Sequence, residues 1–403
     1  MLRLLKSAKN RFSQRASLPA IAKQELKADQ NGLPAHDPGQ EAVIASCTAW
    51  LCAAQDNSAS RDGGVARDFC LRKGWSTSYP ETTGYIIPTM IAMAHRSGDA
   101  SLHERARRML DWCVAIQFPE GGFMGGKIDA TPRVPVTFNT GQILIGLAAG
   151  AAEYGDARYL DAMHRAASWL RDTQDSDGCW RKFGTPFAKK GEKTYETHVS
   201  WGLFEAERVA PGHGYGEAGL RQVDWALTKQ HENGWFASNC LTDENNPLTH
   251  TIGYVLRGVL EGYLLSSRAD LLQAASRTAT GLLKAIGPGG YMAGRLDRDF
   301  NPAAEYACVT GSAQIAHCFF LLYRLTGDAS YYAAGQKLSA FVRRTVRLEG
   351  QDGRVGGVKG SFPVNGAYGQ WQYLNWAAKF CIDVNVLEVE LAGAELVGNL
   401  HNA

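Results

Sequence analysis

The sequence predicts an all-α protein in which six helical hairpins close into an (α/α)6 toroid. Three features support this fold. A glycine–aromatic phrase recurs about every 56 residues, an amphipathic stretch precedes each phrase, and a more apolar stretch rich in small residues follows it. An amphipathic helix buries one face, whereas a helix that is apolar nearly all round is enclosed by other helices. Each repeat therefore supplies one outer and one inner helix.

The repeated phrase is clearest at residues 174–180, which read QDSDGCW. Gln117 and Gln230 begin similar phrases. Glycine permits a sharp turn at the end of an outer helix, so we expect one turn in each repeat. The glycines lie at intervals of 58, 56, 56, 56 and 67 residues, at Gly64, Gly122, Gly178, Gly234, Gly290 and Gly357.

The helices of each hairpin have different compositions. Outer stretches such as RRMLDWCVAIQ and HRAASWLRDTQ carry apolar residues three and four positions apart. We expect Trp180 and its counterparts to pack between neighbouring hairpins. The inner stretches carry a small residue or Asn at matching points, where neighbouring helices can approach closely: Gly84, Gly141, Ser200, Gly253, Gly311 and Asn375.

The segment ASWLRDTQDSDGCW resembles the repeat of the squalene-cyclase and protein-prenyltransferase superfamily, whose toroids carry Q-x-x-x-G-x-W phrases. The resemblance covers most of residues 41–390 and implies the toroid architecture. The last repeat, GGVKGSFPVNGAYGQWQYLNWAAKF, is similar to toroid proteins encoded in bacterial exopolysaccharide gene clusters. That likeness implies polysaccharide biosynthesis more than any one reaction.

Composition limits the protein class. The net charge of +2 does not indicate a nucleic-acid partner, and no apolar run approaches the roughly 18 residues that cross a bilayer. Nine scattered cysteines without a CxxC pair favour reduced thiols in the cytosol. We assign residues 1–40 to a basic N-terminal extension, partly disordered or amphipathic, and residues 41–403 to the toroid. The extension either is a frayed tail or makes a peripheral contact with anionic lipid at the inner membrane.

The loops from outer to inner helices are longer than the reverse links, so we expect function at that end. The inner-helix N-termini converge there and favour anions. The six loop spans hold thirteen Lys or Arg and nine Asp or Glu, a balance of +4. Residues 1–40 add another +4, which leaves 2 − 4 − 4 = −6 for the rest. This distribution predicts a basic mouth that steers an anionic substrate, unless the Lys-rich segment 181–193 is only a solvated loop.

Several residues at inner-helix starts are candidates for proton transfer. Imidazoles at matching places in adjacent repeats could move a proton, or could simply make hydrogen bonds at the helix start. A tyrosine one turn after the second histidine could reach the same substrate, or form part of the wall. Two acids across a cavity could form a glycosidase pair, and Glu196 and Glu305 are further acids at such starts. The catalytic candidates are His198, His250, Tyr254, Tyr306 and Glu81.

Other residues are candidates for binding the substrate. Arg298 could hold a carboxylate in two-pronged fashion, or be neutralised by the acids next to it. Tryptophans offer aromatic surface to sugar rings, or belong to the core. The substrate-binding candidates are Lys190, Arg295, Arg298, Trp75, Trp201, Trp371, Tyr373 and Asn375.

The better-known chemistries of the superfamily fit poorly. A terpenoid cyclase needs a D-x-D-D phrase, whereas the nearest segment here is Asp297-Arg298-Asp299. Asp299 and Cys308 resemble two zinc ligands of protein prenyltransferases, but the sixth inner helix offers no matching histidine, and three ligands are the usual minimum. No phosphate-binding or dinucleotide motif has the required context. We therefore predict no metal and no cofactor.

These features lead to one hypothesis and two alternatives. We expect a cytoplasmic carbohydrate-active enzyme of exopolysaccharide or capsule metabolism, acting on an acidic oligosaccharide or polysaccharide by uronate lyase or epimerase chemistry. Toroids of this shape also host uronyl hydrolases, so that part is analogy of fold. The alternatives are a terpenoid cyclase or prenyl-diphosphate enzyme, and a non-catalytic glycan-binding scaffold.

Overall fold

The computed structural model describes residues 18–401, with side chains to residue 393. Two concentric layers of helices surround one axis. The outer layer contains α2 (Gln40–Asp56), α4 (Ala100–Ile116), α6 (Ala157–Thr173), α8 (Tyr215–Leu227), α10 (Ala269–Lys284) and α12 (Ala329–Arg344). The inner layer contains α3 (Pro80–Ser97), α5 (Thr137–Tyr154), α7 (Thr197–Val209), α9 (Thr249–Ser266), α11 (Val309–Thr326) and α13 (Asn375–His401). A further helix, α1 (Ala20–Gln30), precedes them. The predicted (α/α)6 toroid is confirmed.

Inner helices follow one another around the ring and pack at close range. A Cβ at Gly84 would collide with the backbone of Ile143 on the next inner helix, and one at Gly141 would collide with Val199. Glycine is required there because two helix backbones touch. The predicted close approach of inner helices is thus confirmed at these positions, whereas Asn375 instead begins α13 and donates from Nδ2 to the carbonyl of Ala66, at 3.0 Å.

Short links join each inner helix to the next outer helix. In three of them a glycine in the left-handed conformation ends the inner helix, and an aspartate caps the outer helix by accepting a hydrogen bond from a backbone N–H. The Gly–Asp pairs stand at Gly98 and Asp99, Gly155 and Asp156, and Gly327 and Asp328.

The repeated glutamine–glycine phrase joins neighbouring outer helices. Gln174 Nε2 donates to the carbonyls of Gly178 and of Ala218 on α8, each at 2.9 Å. Gly178 has φ +93°, and a Cβ there would collide with the carbonyl of Arg221, also on α8. Gln117 makes the equivalent bonds to Gly121 and to Ala162 on α6. Each phrase therefore fastens the end of one outer helix to the middle of the next.

The aromatic residue of the phrase is buried, as expected. Trp180 is 3% exposed, and its Nε1 donates to the carbonyl of Leu170 at 2.9 Å, near the end of α6. The sequence alignment of the repeats is off by one at three places. Gly63, Gly121 and Gly356, rather than Gly64, Gly122 and Gly357, have the positive φ that corresponds to Gly178.

The last repeat closes the ring onto the first. Helix α13 packs against α2. Strand β5 (Gln372–Leu374) pairs antiparallel with β1 (Asp68–Cys70), which also pairs with β2 (Gly74–Trp75). A second pair joins β3 (Ala307–Cys308) to β4 (Ser361–Phe362). These ladders lie in the outer-to-inner loops, where they fix the loop conformations around the axis.

The segment before α2 is attached to the toroid. On α1, Glu25 and Asp29 are buried and both pair with Lys359 in the last long loop. Arg354 also pairs with Glu25, at 3.0 Å. Within the segment assigned to the N-terminal extension, α1 thus contacts the toroid. Residues 1–17, which carry most of the basic charge assigned to a membrane contact, lie outside the described part.

Two further observations bear on the class of protein, one on its cysteines and one on membrane-spanning segments. All nine cysteines are free thiols, as predicted. Within the described residues, no helix combines the length and apolarity required of a membrane-spanning segment.

Candidate active site

A cavity of about 200 Å³ opens where the N-termini of the inner helices converge. Its wall draws on four inner helices and four of the long loops. It is lined by Arg67, Tyr79, Glu81, Phe138, Asn139, Thr185, Phe187, Ala188, Tyr195, Leu241, His250, Thr251, Tyr254, Tyr368 and Trp376. This convergence is the arrangement that the loop lengths predicted.

Glu81 is the acid of the cavity, in the first turn of α3. Burial raises the pKa of Glu81 to about 7, although hydrogen bonding from Tyr79 and the charge of Arg67 oppose the rise. Asn139 Nδ2, on α5, donates to Glu81 Oε2 at 2.9 Å. A carboxyl group with this pKa exchanges a proton readily near neutral pH.

Arg67 is the cation of the cavity wall among the described residues. Its guanidinium lies 4.9 Å from the ring centroid of Trp376, and Nη1 donates to Gln372 Oε1 at 3.3 Å. Asp68 lies 3.4 Å from the same nitrogen. Arg67 follows no helical pattern, because it stands in the loop next to β1. Aromatic stacking holds the guanidinium in one orientation, where a planar anion can bind it.

His250 and Tyr254 lie one turn apart on α9 and both line the cavity, as the sequence predicted. Their ring centroids are 4.3 Å apart. The Nδ1 of His250 donates to Gln314 Oε1, at 2.7 Å, so its Nε2 lacks a proton in the neutral ring. Burial lowers the pKa of His250 to about 4, and burial also raises the pKa of Tyr254 well above its usual value. Near neutral pH the histidine is therefore uncharged and the tyrosine protonated.

His198 does not line the cavity, and of the two roles that the sequence left open for it the structure shows hydrogen bonding near the start of an inner helix. The ring of Tyr254 lies 4.3 Å from it and that of Phe138 6.5 Å from it, and these rings separate it from the open space. Gln142 Nε2 donates to the carbonyl of His198, so the nearby Oε1 must accept the proton on Nδ1, at 2.7 Å. His198 Nε2 is left buried without a protein partner. Burial, then the charges of Arg257 and Lys379, lower the pKa of His198 well below its usual value.

Below this layer the axis is filled by aromatic and charged side chains. Trp201 is buried, with Arg257 4.0 Å from its ring centroid and Lys379 5.6 Å from it. Its Nε1 donates to Glu205 at 2.7 Å. Two cations of the protein thus lie close to the indole ring. Trp201 supports the cavity floor, and it does not offer the sugar-stacking surface that we expected.

The other predicted acids do not join Glu81. Glu196 is buried beside η1 (Thr194–Glu196), with Oε2 unpaired by protein, but it does not line the cavity. Burial raises the pKa of Glu196 to about 8. Glu305 is exposed. The carboxylate pair of a glycosidase is therefore not formed from these residues.

The predicted cations and tyrosines of the long loops lie away from the cavity. Lys190 is exposed, and Arg295 donates to the carbonyl of Asn246 at 2.6 Å. Arg298 lies at the rim of the outer layer, 3.1 Å from the Nδ1 of His231. Tyr306 is half-buried beside Gly294 and Gly366. None of these four side chains lines the cavity.

The remaining predicted contacts belong to the closing sheet. Trp75 packs against Trp50 and Phe69, with centroids 5.2 Å from each. Trp371 is buried beneath Arg72, and Tyr373 is fully buried in β5. Asn375 is also fully buried, and its amide is used by the backbone. Pairing of β1 with β5 draws these residues into the core.

Much of the loop charge is neutralised locally. Arg181 pairs with Asp175, Asp177 and Glu192 at 2.7–2.9 Å. Lys189 pairs with Glu244 at 2.8 Å. The Lys-rich segment therefore contributes less positive electrostatic potential at the cavity than its number of basic residues indicated.

The residues that sequence reasoning missed are Arg67, Asn139, Tyr368 and Trp376. Asn139 and Trp376 each lie near the start of an inner helix, the position that identified Glu81 and His250. The position at the start of an inner helix could therefore have identified Asn139 and Trp376 from the sequence. No helical pattern identifies Arg67 or Tyr368, because both stand in loops whose path depends on the strand pairing.

Comparison with known proteins agrees with this geometry. The sequence profile of the squalene-hopene cyclase C-terminal domain matches residues 83–259. Those residues contain most of α3, all of α4 to α8 and most of α9, the regular part of the ring. The chain is an α/α toroid.

Solved structures share the whole toroid. An unsaturated glucuronyl hydrolase specific for heparin superposes with a TM-score of 0.71 and 14% sequence identity, over 89% of this chain and 99% of that one. A cellobiose 2-epimerase from Bacillus thermoamylovorans gives 0.68 and 10%, over 86% and 97%. A D-mannose isomerase gives 0.69 and 12%, over 89% and 99%. No curated protein sequence matches the chain.

Proposed function

We propose that the toroid is an enzyme that moves a proton at a ring carbon of an acidic sugar, next to the carboxylate. The observation that carries the proposal is the juxtaposition of Glu81, whose pKa is raised to about 7, with Arg67 in one cavity. Such a carboxyl group is a base at neutral pH and can return the proton afterwards. The guanidinium of Arg67 would hold the sugar carboxylate, which also makes the neighbouring C–H more acidic by drawing off charge.

Tyr254 and His250 supply the second half of the reaction. Tyr254 is protonated at neutral pH and is suited to donate a proton, while the Nε2 of His250 is suited to accept a hydrogen bond from a sugar hydroxyl. In an epimerisation, Glu81 removes the proton from one face of the carbon and a proton returns to the opposite face. In an elimination, the C–H electrons form a double bond, the C–O bond to the neighbouring sugar breaks, and the leaving oxygen takes a proton.

The size of the cavity favours a short or terminal substrate. At about 200 Å³ it is smaller than the roughly 300–1,000 Å³ of typical ligand pockets. The residues beneath it close the axis, so a polymer cannot thread through. We infer that one sugar ring enters at a time, with aromatic walls from Phe138, Tyr368 and Trp376 against its faces.

The similar solved structures support a sugar substrate, because their names describe enzymes of glucuronyl sugars, cellobiose and mannose. The resemblance of the last repeat to exopolysaccharide-cluster proteins is the basis for proposing polymer metabolism, and the free cysteines are the basis for proposing the cytoplasm.

The two alternatives have less support from the geometry. A prenyl chain needs a long apolar tunnel, whereas Arg257 and Lys379 occupy the axis below the cavity. A passive scaffold does not explain a buried carboxyl group whose pKa lies near neutrality in an open cavity.

The test is exchange with solvent deuterium. The protein is incubated in deuterated buffer with uronate-containing disaccharides and oligosaccharides, both saturated and unsaturated, and the products are examined by mass spectrometry and NMR. Deuterium on the carbon beside the carboxylate, with an epimer or a new double bond, supports the proposal. Glu81→Gln should abolish incorporation, whereas Glu196→Gln, which alters a buried acid outside the cavity, should retain it.

The acidic specificity has its own control. Arg67→Met should raise KM for uronates and leave binding of the matching neutral sugars nearly unchanged, whereas Arg298→Met at the outer rim should change neither. If no acidic sugar of the panel exchanges a proton, or if Glu196→Gln is as damaging as Glu81→Gln, the proposal is wrong. New products from labelled prenyl diphosphates would favour the isoprenoid alternative.

A further inference from the structure

Three metal-ligating side chains meet at the end of the toroid opposite the cavity. His95 lies in the last turn of α3, His103 in the first turn of α4 and Glu153 in the last turn of α5. His95 follows Glu81 by fourteen residues on the same helix, which corresponds to about 21 Å along the axis at 1.5 Å per residue. The cluster is therefore separate from the proposed reaction.

The geometry is close to that of a metal site. His95 Nε2 lies 2.8 Å from Glu153 Oε1, and His103 Nδ1 lies 3.7 Å from the same oxygen. The ligand atoms of all three residues fall within 4.8 Å of one another. Ligand atoms about 2.0–2.1 Å from a tetrahedral zinc ion lie about 3.3 Å apart. The two observed distances fall on either side of this value, so small side-chain rotations would admit an ion.

The setting of Glu153 also favours a cation. An acidic side chain in the last turn of a helix faces the negative end of the helix dipole, an unfavourable position unless a positive charge is near. Its nearest partner here is a histidine, which is charged only when protonated. A divalent ion would supply that charge at any pH at which both imidazoles are neutral.

Neighbouring side chains already orient one of the ligands. The Tyr154 hydroxyl donates to the carbonyl of His103 at 3.3 Å, and Arg107 lies over the Tyr154 ring at 4.1 Å. An ion on His103 Nδ1 would replace only the long contact between that nitrogen and the same hydroxyl, also 3.3 Å. The His103 ring also packs edge to face on the Tyr154 ring, with centroids 6.0 Å apart, and such outer contacts hold a ligand ring in position before the ion arrives.

We propose that His95, His103 and Glu153 form a binding site for a divalent transition-metal ion such as zinc. Imidazole nitrogens favour ions of this class over magnesium or calcium. Solvent completes the coordination, because the site is open to water. The bound ion ties the C-terminal ends of the first two inner helices to the start of α4, so its role is structural.

The next repeat offers a matched control. His164 and His213 also place their rings edge to face, with centroids 4.8 Å apart. However, His164 Nδ1 is bonded to the Tyr215 hydroxyl at 2.9 Å, and in the described part of the chain only the first cluster brings three ligand atoms together. A pair of histidines alone should bind an ion much more weakly.

The test uses the full chain, freed of metal with a chelator. Titration with Co²⁺, followed by visible absorption, and with Zn²⁺, followed by calorimetry, should show one ion per chain. His95→Ala/His103→Ala should weaken binding at least about 100-fold, and Glu153→Gln about 10-fold or more. His164→Ala/His213→Ala should bind as the wild type does. Zn²⁺ should raise the melting temperature of the wild type and of the control variant only.

The outcomes separate the alternatives. The proposal is wrong if the wild type binds no stoichiometric ion, or if binding survives in both His95→Ala/His103→Ala and Glu153→Gln. Circular dichroism and melting in the presence of chelator show whether the variants fold. If the double variant does not fold, Glu153→Gln decides the matter alone, since its glutamine keeps the shape of the residue it replaces.

Discussion

The most direct perturbation of the proposed site is Glu81→Gln. It removes the proton-exchanging group and retains the size of the side chain and the acceptor for Asn139 Nδ2. Loss of a general base typically lowers the rate by about 10²–10⁴. We expect a fall of this size in kcat, with a much smaller effect on KM, because Arg67 and the aromatic wall still hold the sugar.

The same substitution should stabilise the protein at alkaline pH. Burial raises the pKa of Glu81 from the usual 4.5 to about 7, so the folded state retains the proton over that range while the unfolded state loses it. The contribution of Glu81 to stability therefore falls as pH rises from about 4.5 to about 7, and it stays at its lowest value above that. A difference of 2.5 units at 1.36 kcal/mol each sets an upper bound of about 3 kcal/mol. Since the side chain is partly open to the cavity, we expect about 1–3 kcal/mol.

Urea unfolding of the wild type and of Glu81→Gln, at about pH 5 and about pH 8.5, measures the contribution of Glu81 to the free energy of unfolding. The free energy of unfolding of the variant, relative to the wild type, should rise between the two conditions. Glu305→Gln, which alters an exposed acid at another inner-helix start, should show no such change. Equal activity of Glu81→Gln and the wild type would refute the catalytic assignment. A stability difference independent of pH would refute the burial argument.

Two further predictions concern the contacts that stabilise the toroid. Gly178→Ala should lower the free energy of unfolding by about 2–4 kcal/mol, because the residue has φ +93° and the new methyl group would collide with the backbone of α8. The control is Gly155→Ala, which should cost about 1 kcal/mol because this residue has φ +60° and lies in open space. Equal losses in urea unfolding would contradict the fastening role of the repeated phrase. Lys359→Met should cost about 3–5 kcal/mol because it leaves the buried Asp29 without its cation and Glu25 with only its arginine partners. Limited proteolysis should then cut within residues 18–40, and Lys337→Met, at an exposed site on α12, should leave both measurements unchanged.

The toroid was predictable because its construction repeats. Gln174 and Gly178 have a role that depends only on the next outer helix, and the same contact recurs at Gln117 and Gly121. A local requirement repeated along the chain leaves a period in the sequence. The attachment of α1 leaves no such trace, since Glu25 and Lys359 meet through contacts more than 300 positions apart. An isolated long-range ion pair has no signature in one sequence.

The site was predictable in part. Glu81, His250 and Tyr254 were identified because a position at an inner-helix start determines that a side chain lies near the axis. The same reasoning made His198 a catalytic candidate, although it does not line the cavity. Position along a helix determines where a side chain lies along the axis of the toroid. The orientation of α7 about its own axis and the neighbouring rings of Phe138 and Tyr254 decide whether the side chain reaches open space.

The cavity is asymmetric because the six inner helices do not contribute equally to its wall. Side chains of α3, α5, α9 and α13 line it, whereas among the described residues α7 and α11 contribute none. At α7 the preceding η1 presents Tyr195 in place of a helix residue, and near α11 the loop that carries Tyr368 occupies the opening. The acid of α3 therefore faces a wall formed by α9, with Arg67 and Trp376 on one side. In the proposed reaction, a sugar whose carboxylate binds Arg67 would be held between Glu81 and Tyr254 in one orientation, because these residues come from different sides of the ring.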